Sequence, residues 1–185
     1  HSIGGNTWIA LLQNIFGILI LIGLGMAAYQ RYIIKPDRFK GSNNIDATII
    51  YILATTIVLT MILEASARLS INSDVTLWRP ISSLGMYLFV SLGVSGDSAS
   101  VFENLMYWLH VSAILIFLIY IPGSKHRHMF TAGPNIFFRP LTPKGQLPAP
   151  IMGTNSEHEV VTKYKEFTWK DMLDTMSCTE CGRCQ

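Results

Sequence analysis

The chain has 185 residues, of which 50% are hydrophobic and only 14% are charged. Soluble domains carry about 25% charged residues, so this deficit predicts a membrane protein and argues against a soluble one. The formal net charge of +2 is too small to favour a nucleic-acid partner.

Three long apolar segments predict an all-α transmembrane bundle, with spans at residues 8–29, 45–69 and 101–121. The first is a nearly uninterrupted apolar run of 22 residues. At about 1.5 Å per residue it crosses a hydrocarbon core of roughly 30 Å. Basic residues follow it at once and place that end in the cytoplasm. They are Arg31, Lys35, Arg38 and Lys40.

A fourth apolar segment, Ile81–Val94, has 14 residues and is short for a membrane crossing. If it crossed, the span ending at Ile121 would deliver the basic cluster SKHRH to the outside. The positive-inside bias and the thiols further along favour the opposite arrangement. We therefore expect this segment to be re-entrant or to lie along the outer interface, with the C-terminal region in the cytoplasm.

Glu64 and Arg68 lie four residues apart near the far end of the second span. Glutamate before arginine at this spacing is the favourable order on a helix. The pattern predicts a structural ion pair at the membrane edge. The alternative is a functional group near a quinone or a proton path.

Residues 122–165 are rich in proline and glycine and predict an extended cytoplasmic linker. Thr168 and Asp171 then form a helix-capping pattern. The apolar residues after Thr168 fall at helical spacing, so a short amphipathic helix should lead into the last residues. These apolar residues are Trp169, Met172, Leu173 and Met176.

Cys178, Cys181 and Cys184 are all the cysteines of the chain, and they follow a C-x2-C-x2-C pattern. This is three quarters of the ferredoxin run C-x2-C-x2-C-x3-C-P. It predicts three ligands of one [4Fe–4S] cluster at the start of a ferredoxin-type domain, residues 166–185, with the fourth ligand outside this chain. A zinc site, which usually uses two separated cysteine pairs, and free thiols are the alternatives.

His110 lies in the middle of the third span, within WLHVSAILIF. Ionisable groups at that depth are costly and are candidates for function. We interpret His110 as an axial ligand of haem. A histidine that is hydrogen-bonded to a neighbouring helix is the alternative.

His128 and His126 compete for a second haem-ligand role. At about 100° per residue, the 18 residues from His110 to His128 make five turns, which would place both on one helix face. Pro122 weakens this argument because it should kink or end the helix. His128 is favoured and His126 is the alternative. His158 lies in the polar linker and is expected to be solvated.

The stretches WLHVSAILIFLIYIPGSKHRHMFTAGPNIFFR and FTWKDMLDTMSCTECGRCQ resemble a family of prokaryotic membrane-bound iron–sulfur oxidoreductases. That family joins a cytochrome b domain, similar to the nitrate reductase gamma subunit, to a heterodisulfide-reductase-like domain. Members include the membrane-bound partner of electron-transfer flavoprotein that reduces menaquinone. The resemblance implies that His110 and His128 bind haem b and that the three cysteines bind a [4Fe–4S] cluster. It also implies that this chain is an internal portion of a longer protein.

The resulting function is electron transfer between a soluble redox protein, such as electron-transfer flavoprotein, and menaquinone or another quinone in the prokaryotic cell membrane. A quinone site does not follow from the sequence itself; Lys125–Asn135, at the cytoplasmic ends of the spans, is the candidate place for one. One alternative is a heterodisulfide-reductase-like subunit that acts on a disulfide. The alternative of another class is a non-catalytic membrane anchor in a larger membrane complex.

Overall fold

A computed structural model describes residues 7–40, 44–72, 78–141 and 167–179. These residues are helical or in turns, and none of them lies in a strand. They divide into two compact units, one ending at Tyr120 and the other beginning at Ile121. The all-α prediction is therefore confirmed for the part of the chain that is described.

Where it is described, the first unit contains four α-helices: α1 (Thr7–Tyr29), α2 (Asn44–Asn72), α3 (Pro80–Ser91) and α4 (Asp97–Tyr120). Three helices are long and apolar enough to cross a membrane, namely α1, α2 and α4 with their immediate extensions. The helix α3 has 12 residues, or about 18 Å at 1.5 Å per residue, which is less than a bilayer core. The three predicted spans are thus present as long apolar helices.

Polar contacts connect α2 and α4 along most of their length and show that they run antiparallel. Tyr120 donates a hydrogen bond to Asp46 at one end, with an oxygen-to-oxygen distance of 2.6 Å. At the other end, Arg68 Nε donates to Glu103 Oε1 at 2.8 Å. Asp46 and Arg68 are 22 positions apart on α2, which corresponds to a rise of roughly 33 Å along the helix. The two contacts therefore lie about the thickness of a bilayer core apart.

The start of α3 is capped by a side chain from another helix. Asn14 of α1 is buried, and its Oδ1 accepts bonds from the backbone N–H groups of Ile81 (3.1 Å) and Ser82 (2.9 Å). The first N–H groups of any helix lack partners within it. Asn14 therefore satisfies two of them from a buried position.

The helix α3 lies across one end of the bundle. It starts beside Asn14, and its Phe89 ring packs against Phe102 near the start of α4, with centroids 5.0 Å apart. Between them, Gly85 lies so close to α2 that an added Cβ would approach Ser66 Oγ to 2.3 Å. Glycine is needed there because the backbone of α3 at Gly85 lies directly against the side chain of Ser66 on α2.

The described residues of the second unit contain two short α-helices, α5 (His128–Phe137) and α6 (Trp169–Met176). The predicted cap of α6 is confirmed, since Thr168 and Asp171 form a capping box. The helix α5 is a difference from the sequence prediction of an extended linker over residues 122–165. Two 3₁₀ turns, Ile121–Gly123 and Lys125–Arg127, connect α4 to it.

Candidate functional site

His110 is fixed by a hydrogen bond between its ring and the backbone of the neighbouring helix. Its Nδ1 lies 3.0 Å from the carbonyl oxygen of Ile57 and 3.0 Å from Oγ1 of Thr60, both on α2. A carbonyl oxygen can only accept, so Nδ1 carries the proton of the neutral ring. Nε2 is then left with its lone pair available for a ligand.

Thr60 supports this assignment through its own hydrogen bonds. It is buried, at 3% exposure, and its Oγ1 lies 2.7 Å from the carbonyl oxygen of Thr56 one turn earlier. The hydroxyl has one proton, and it donates this proton in a hydrogen bond to the Thr56 carbonyl oxygen. Oγ1 therefore accepts from His110 Nδ1, and two acceptors on α2 hold one ring N–H.

This geometry suits a metal-binding imidazole. Histidines that bind metals commonly donate their second ring N–H to a carbonyl or carboxylate, which sets the tautomer and the ring orientation. The hydrogen bond to a neighbouring helix, which the sequence offered as an alternative to ligation, is present at Nδ1. A hydrogen bond to α2 and a role as metal ligand are therefore compatible, because the hydrogen bond uses Nδ1 and a metal would use Nε2.

His128 has the same local arrangement. Its Nδ1 lies 2.7 Å from the carbonyl oxygen of Lys125, so Nδ1 is the donor and Nε2 keeps its lone pair. The ring of His126 lies edge-on to it, with centroids 5.7 Å apart. The α-helix that begins at Asp97 ends at Tyr120, as Pro122 led us to expect. His110 and His128 are therefore not on one continuous helix, and the argument that five turns place them on the same helix face does not apply.

Cys178 follows directly after α6. Its backbone N–H donates to the carbonyl of Thr175 at 3.2 Å, and the residue is exposed. The other two candidate ligands, Cys181 and Cys184, lie outside the described residues. Within the described residues, no three His, Cys, Asp or Glu side chains come together as a metal site.

Two polar contacts join α6 to α5. Thr131 Oγ1 donates to the carbonyl of Met176 at 3.2 Å, and Lys170 Nζ donates to Asn135 Oδ1 at 2.6 Å. The two helices are therefore antiparallel, and the end of α6 that leads to Cys178 lies against the first turn of α5.

The contact of α6 with α5 is reinforced by charge. Lys170 Nζ also lies 2.6 Å from Asp174 Oδ1, one turn further along α6. The hydrogen bond from Lys170, followed by one from Asn135, lowers the pKa of Asp174 below its usual range. Lys170 thus joins the two helices while keeping the Asp174 carboxylate ionised.

The predicted Glu64–Arg68 ion pair is confirmed, and it has a third member. Arg68 contacts Glu64 through Nη2 and also bonds Glu103 on α4 through Nε. Glu103 lies 35 residues further along the chain than Arg68, so spacing on one helix could not reveal it. The cluster joins α2 to α4 and carries one net negative charge.

The chain is similar in sequence to named oxidoreductases. It is 33% identical to the probable iron-sulfur-binding oxidoreductase FadF of Bacillus subtilis over 174 residues, which is 93% of this chain. It is 29% identical to the EtfAB:quinone oxidoreductase of Syntrophomonas wolfei over 98% of its length. This chain is a homologue of an iron–sulfur-binding oxidoreductase and of an EtfAB:quinone oxidoreductase. The resemblance inferred from the sequence motifs is therefore confirmed.

The homologous region is one part of those relatives. The chain spans 24% of the first protein and 26% of the second. No family model and no solved structure matches the chain.

Proposed function

We propose that this chain is the membrane part of a quinone-linked iron–sulfur oxidoreductase, with His110 as an axial ligand of haem b. The hydrogen bond from His110 Nδ1 to the carbonyl of Ile57 carries this proposal. It orients the ring and leaves Nε2 with the lone pair that an iron needs. Homology to named iron–sulfur oxidoreductases supports the redox role.

The chain's own residues would hold the haem as follows. His110 would bind through Nε2, while Ile57 and Thr60 fix the ring from α2. His128 would hold a second haem in the same manner through Nε2, with the carbonyl of Lys125 fixing its ring. Haem b supplies one-electron transfer when bound, and burial and hydrogen bonds to the ligand set its potential.

The three cysteines Cys178, Cys181 and Cys184 would bind one [4Fe–4S] cluster, with a fourth ligand from another part of the protein. The helix α6 supports this by ending directly before Cys178 and by packing on α5. Cys178 and His128 lie at the same end of the α5–α6 pair, which suits electron transfer between two centres.

The name of the second relative suggests the partners. It is an EtfAB:quinone oxidoreductase, so we propose an electron-transfer flavoprotein on one side and a membrane quinone on the other. The three helices of the described residues that are long and apolar enough to span a membrane support a location in a prokaryotic cell membrane. The basic residues after α1 favour a cytoplasmic position for α5, α6 and the cysteines.

The proposal is tested on the purified protein that contains this chain. A dithionite-reduced minus oxidised spectrum should contain the α-band of haem b, and low-temperature EPR of the reduced protein should contain an iron–sulfur signal. Addition of a menaquinol analogue should reduce the haem in the same sample. A protein with neither the α-band nor the iron–sulfur signal would exclude the proposed function.

A further inference from the structure

The helix α5 has its polar and apolar faces in an unexpected arrangement. Thr131 and Asn135 face α6 and form the bonds that join the two helices. The large apolar side chains of α5 point the other way and are exposed, with Phe137 at 80% and Phe130 at 58%. These side chains are called the α5 apolar face. It consists of Met129, Phe130, Ile136 and Phe137.

A helix pair that folds in water places apolar residues between its helices and polar residues outside. The membrane-spanning unit of this chain shows the opposite pattern, in which Asn14 and Thr60 are buried while Phe16 and Ile116 are exposed. The helix α5 follows that second pattern. Its outer face therefore matches a hydrocarbon surrounding better than water.

The position of α5 in the chain supports the same surrounding. The candidate span that includes α4 ends at Gly123, and α5 begins at His128. Five residues reach at most about 18 Å, so the start of α5 cannot lie far from the membrane surface. The helix has 10 residues, a length of about 15 Å, which is too short to cross a bilayer.

Basic residues flank the α5 apolar face at both ends. Arg127 directly precedes the helix, and Arg139 follows its last residue by two positions. A short helix with an apolar face and flanking arginines is typical of helices that lie in the plane of an anionic membrane surface. The charge of the flanks thus complements phospholipid headgroups.

We propose that α5 lies in the headgroup region of the membrane, with the α5 apolar face at the acyl-chain boundary and Arg127 and Arg139 on the phosphates of anionic lipids. The polar face of α5 then holds α6 on the water side. In this position the lipid surface is the partner of α5, and Cys178 at the end of α6 lies close to the membrane plane.

The test is photocrosslinking in lipid nanodiscs made from equal amounts of phosphatidylglycerol and phosphatidylcholine. Phe137 is replaced by the photoreactive residue p-benzoylphenylalanine in the complete protein, and Phe130 in a second variant. These replacements keep an aromatic ring and should not disturb the fold. The matched control carries the same residue at Thr175, an exposed polar position on α6.

Mass spectrometry of the products distinguishes the possible occupants of the face. We expect phospholipid adducts at Phe137 and Phe130 at several times the yield at Thr175, and more adducts to phosphatidylglycerol than to phosphatidylcholine. The double variant Arg127→Gln, Arg139→Gln should bring the two lipids to equal yield. Crosslinks from Phe137 to another segment of the chain, to a second copy or to another protein would overturn the proposal, as would a lipid yield no higher than at Thr175.

Discussion

Nδ1 of His110 on α4 lies 3.0 Å from Oγ1 of Thr60 on α2. The same nitrogen lies 3.0 Å from the carbonyl oxygen of Ile57, so its single proton is shared between two acceptors on one helix. This contact joins the two helices between their polar ends and determines which ring nitrogen can bind iron.

Thr60→Val removes one of these acceptors while keeping the shape of the side chain. The ring should still bind haem, because the carbonyl of Ile57 remains. We expect the affinity for haem to fall by about 10- to 100-fold, as metal affinity does when hydrogen-bond partners of metal-binding histidines are replaced. The midpoint potential of that haem should rise, since a ring that donates a weaker hydrogen bond stabilises ferric iron less. A redox titration followed at the α-band measures this change.

Thr60→Ser is the matched control because it restores the hydroxyl. It should return the midpoint potential and the haem content towards those of the wild type. If the serine variant behaves like the valine variant, the effect comes from packing and not from the hydrogen bond. An unchanged potential in Thr60→Val would contradict a role for Thr60 in positioning the ligand.

His128→Ala should remove one haem, whereas His126→Ala should leave the haem content intact. His128 has its Nδ1 bound to the carbonyl of Lys125 at 2.7 Å, which leaves Nε2 as the atom that would bind iron under the proposed function. Pyridine haemochrome analysis gives the haem-to-protein ratio of each variant. Loss of haem in the His126 variant with a normal ratio in the His128 variant would reverse the assignment.

Asn14→Leu should destabilise the membrane unit, because the N–H groups of Ile81 and Ser82 lose their acceptor inside the protein. Leaving a buried donor without its partner costs about 1–3 kcal/mol. Asn14→Asp keeps an acceptor oxygen but loses the Nδ2 donor to the Ala10 carbonyl (3.0 Å), so it should recover only part of the lost stability. Thermal unfolding in detergent, followed by circular dichroism, compares the two. Equal melting temperatures for Asn14→Leu and the wild type would show that α3 does not need this cap.

Arg68→Met should lower stability more than Glu103→Gln does. Without Arg68, the carboxylates of Glu64 and Glu103 face each other with no cation between them. Glu103→Gln removes one ion pair that is partly exposed, a loss of about 1 kcal/mol or less. The same unfolding assay measures both variants, and a larger loss in Glu103→Gln would contradict this account of the cluster.

The long helices could be predicted from the sequence because their signal is local. The spans predicted at residues 8–29, 45–69 and 101–121 correspond to α1, α2 and α4, with ends that differ by a few residues. Length and apolar composition alone specify such helices in a membrane. The Glu64–Arg68 pair was predicted for the same reason, since both residues lie on one helix.

Contacts between distant segments could not be predicted in this way. Thr60 and His110 lie 50 residues apart, and each looked like an isolated polar residue in an apolar span. The helix α5 was missed because Gly133 and Pro134 are typical of linkers. Pro134 is the seventh of ten residues in that helix, so it costs one backbone hydrogen bond near the end.

The central claim is that His110 binds haem b through Nε2, and His110→Ala tests it most directly. The variant is purified in parallel with the wild type and with His158→Ala, which alters a histidine expected to be solvated. Pyridine haemochrome analysis and reduced-minus-oxidised spectra should show one haem fewer in His110→Ala, with the iron–sulfur EPR signal retained and His158→Ala unchanged. A His110→Ala protein that keeps the full haem content and the wild-type α-band would contradict the account.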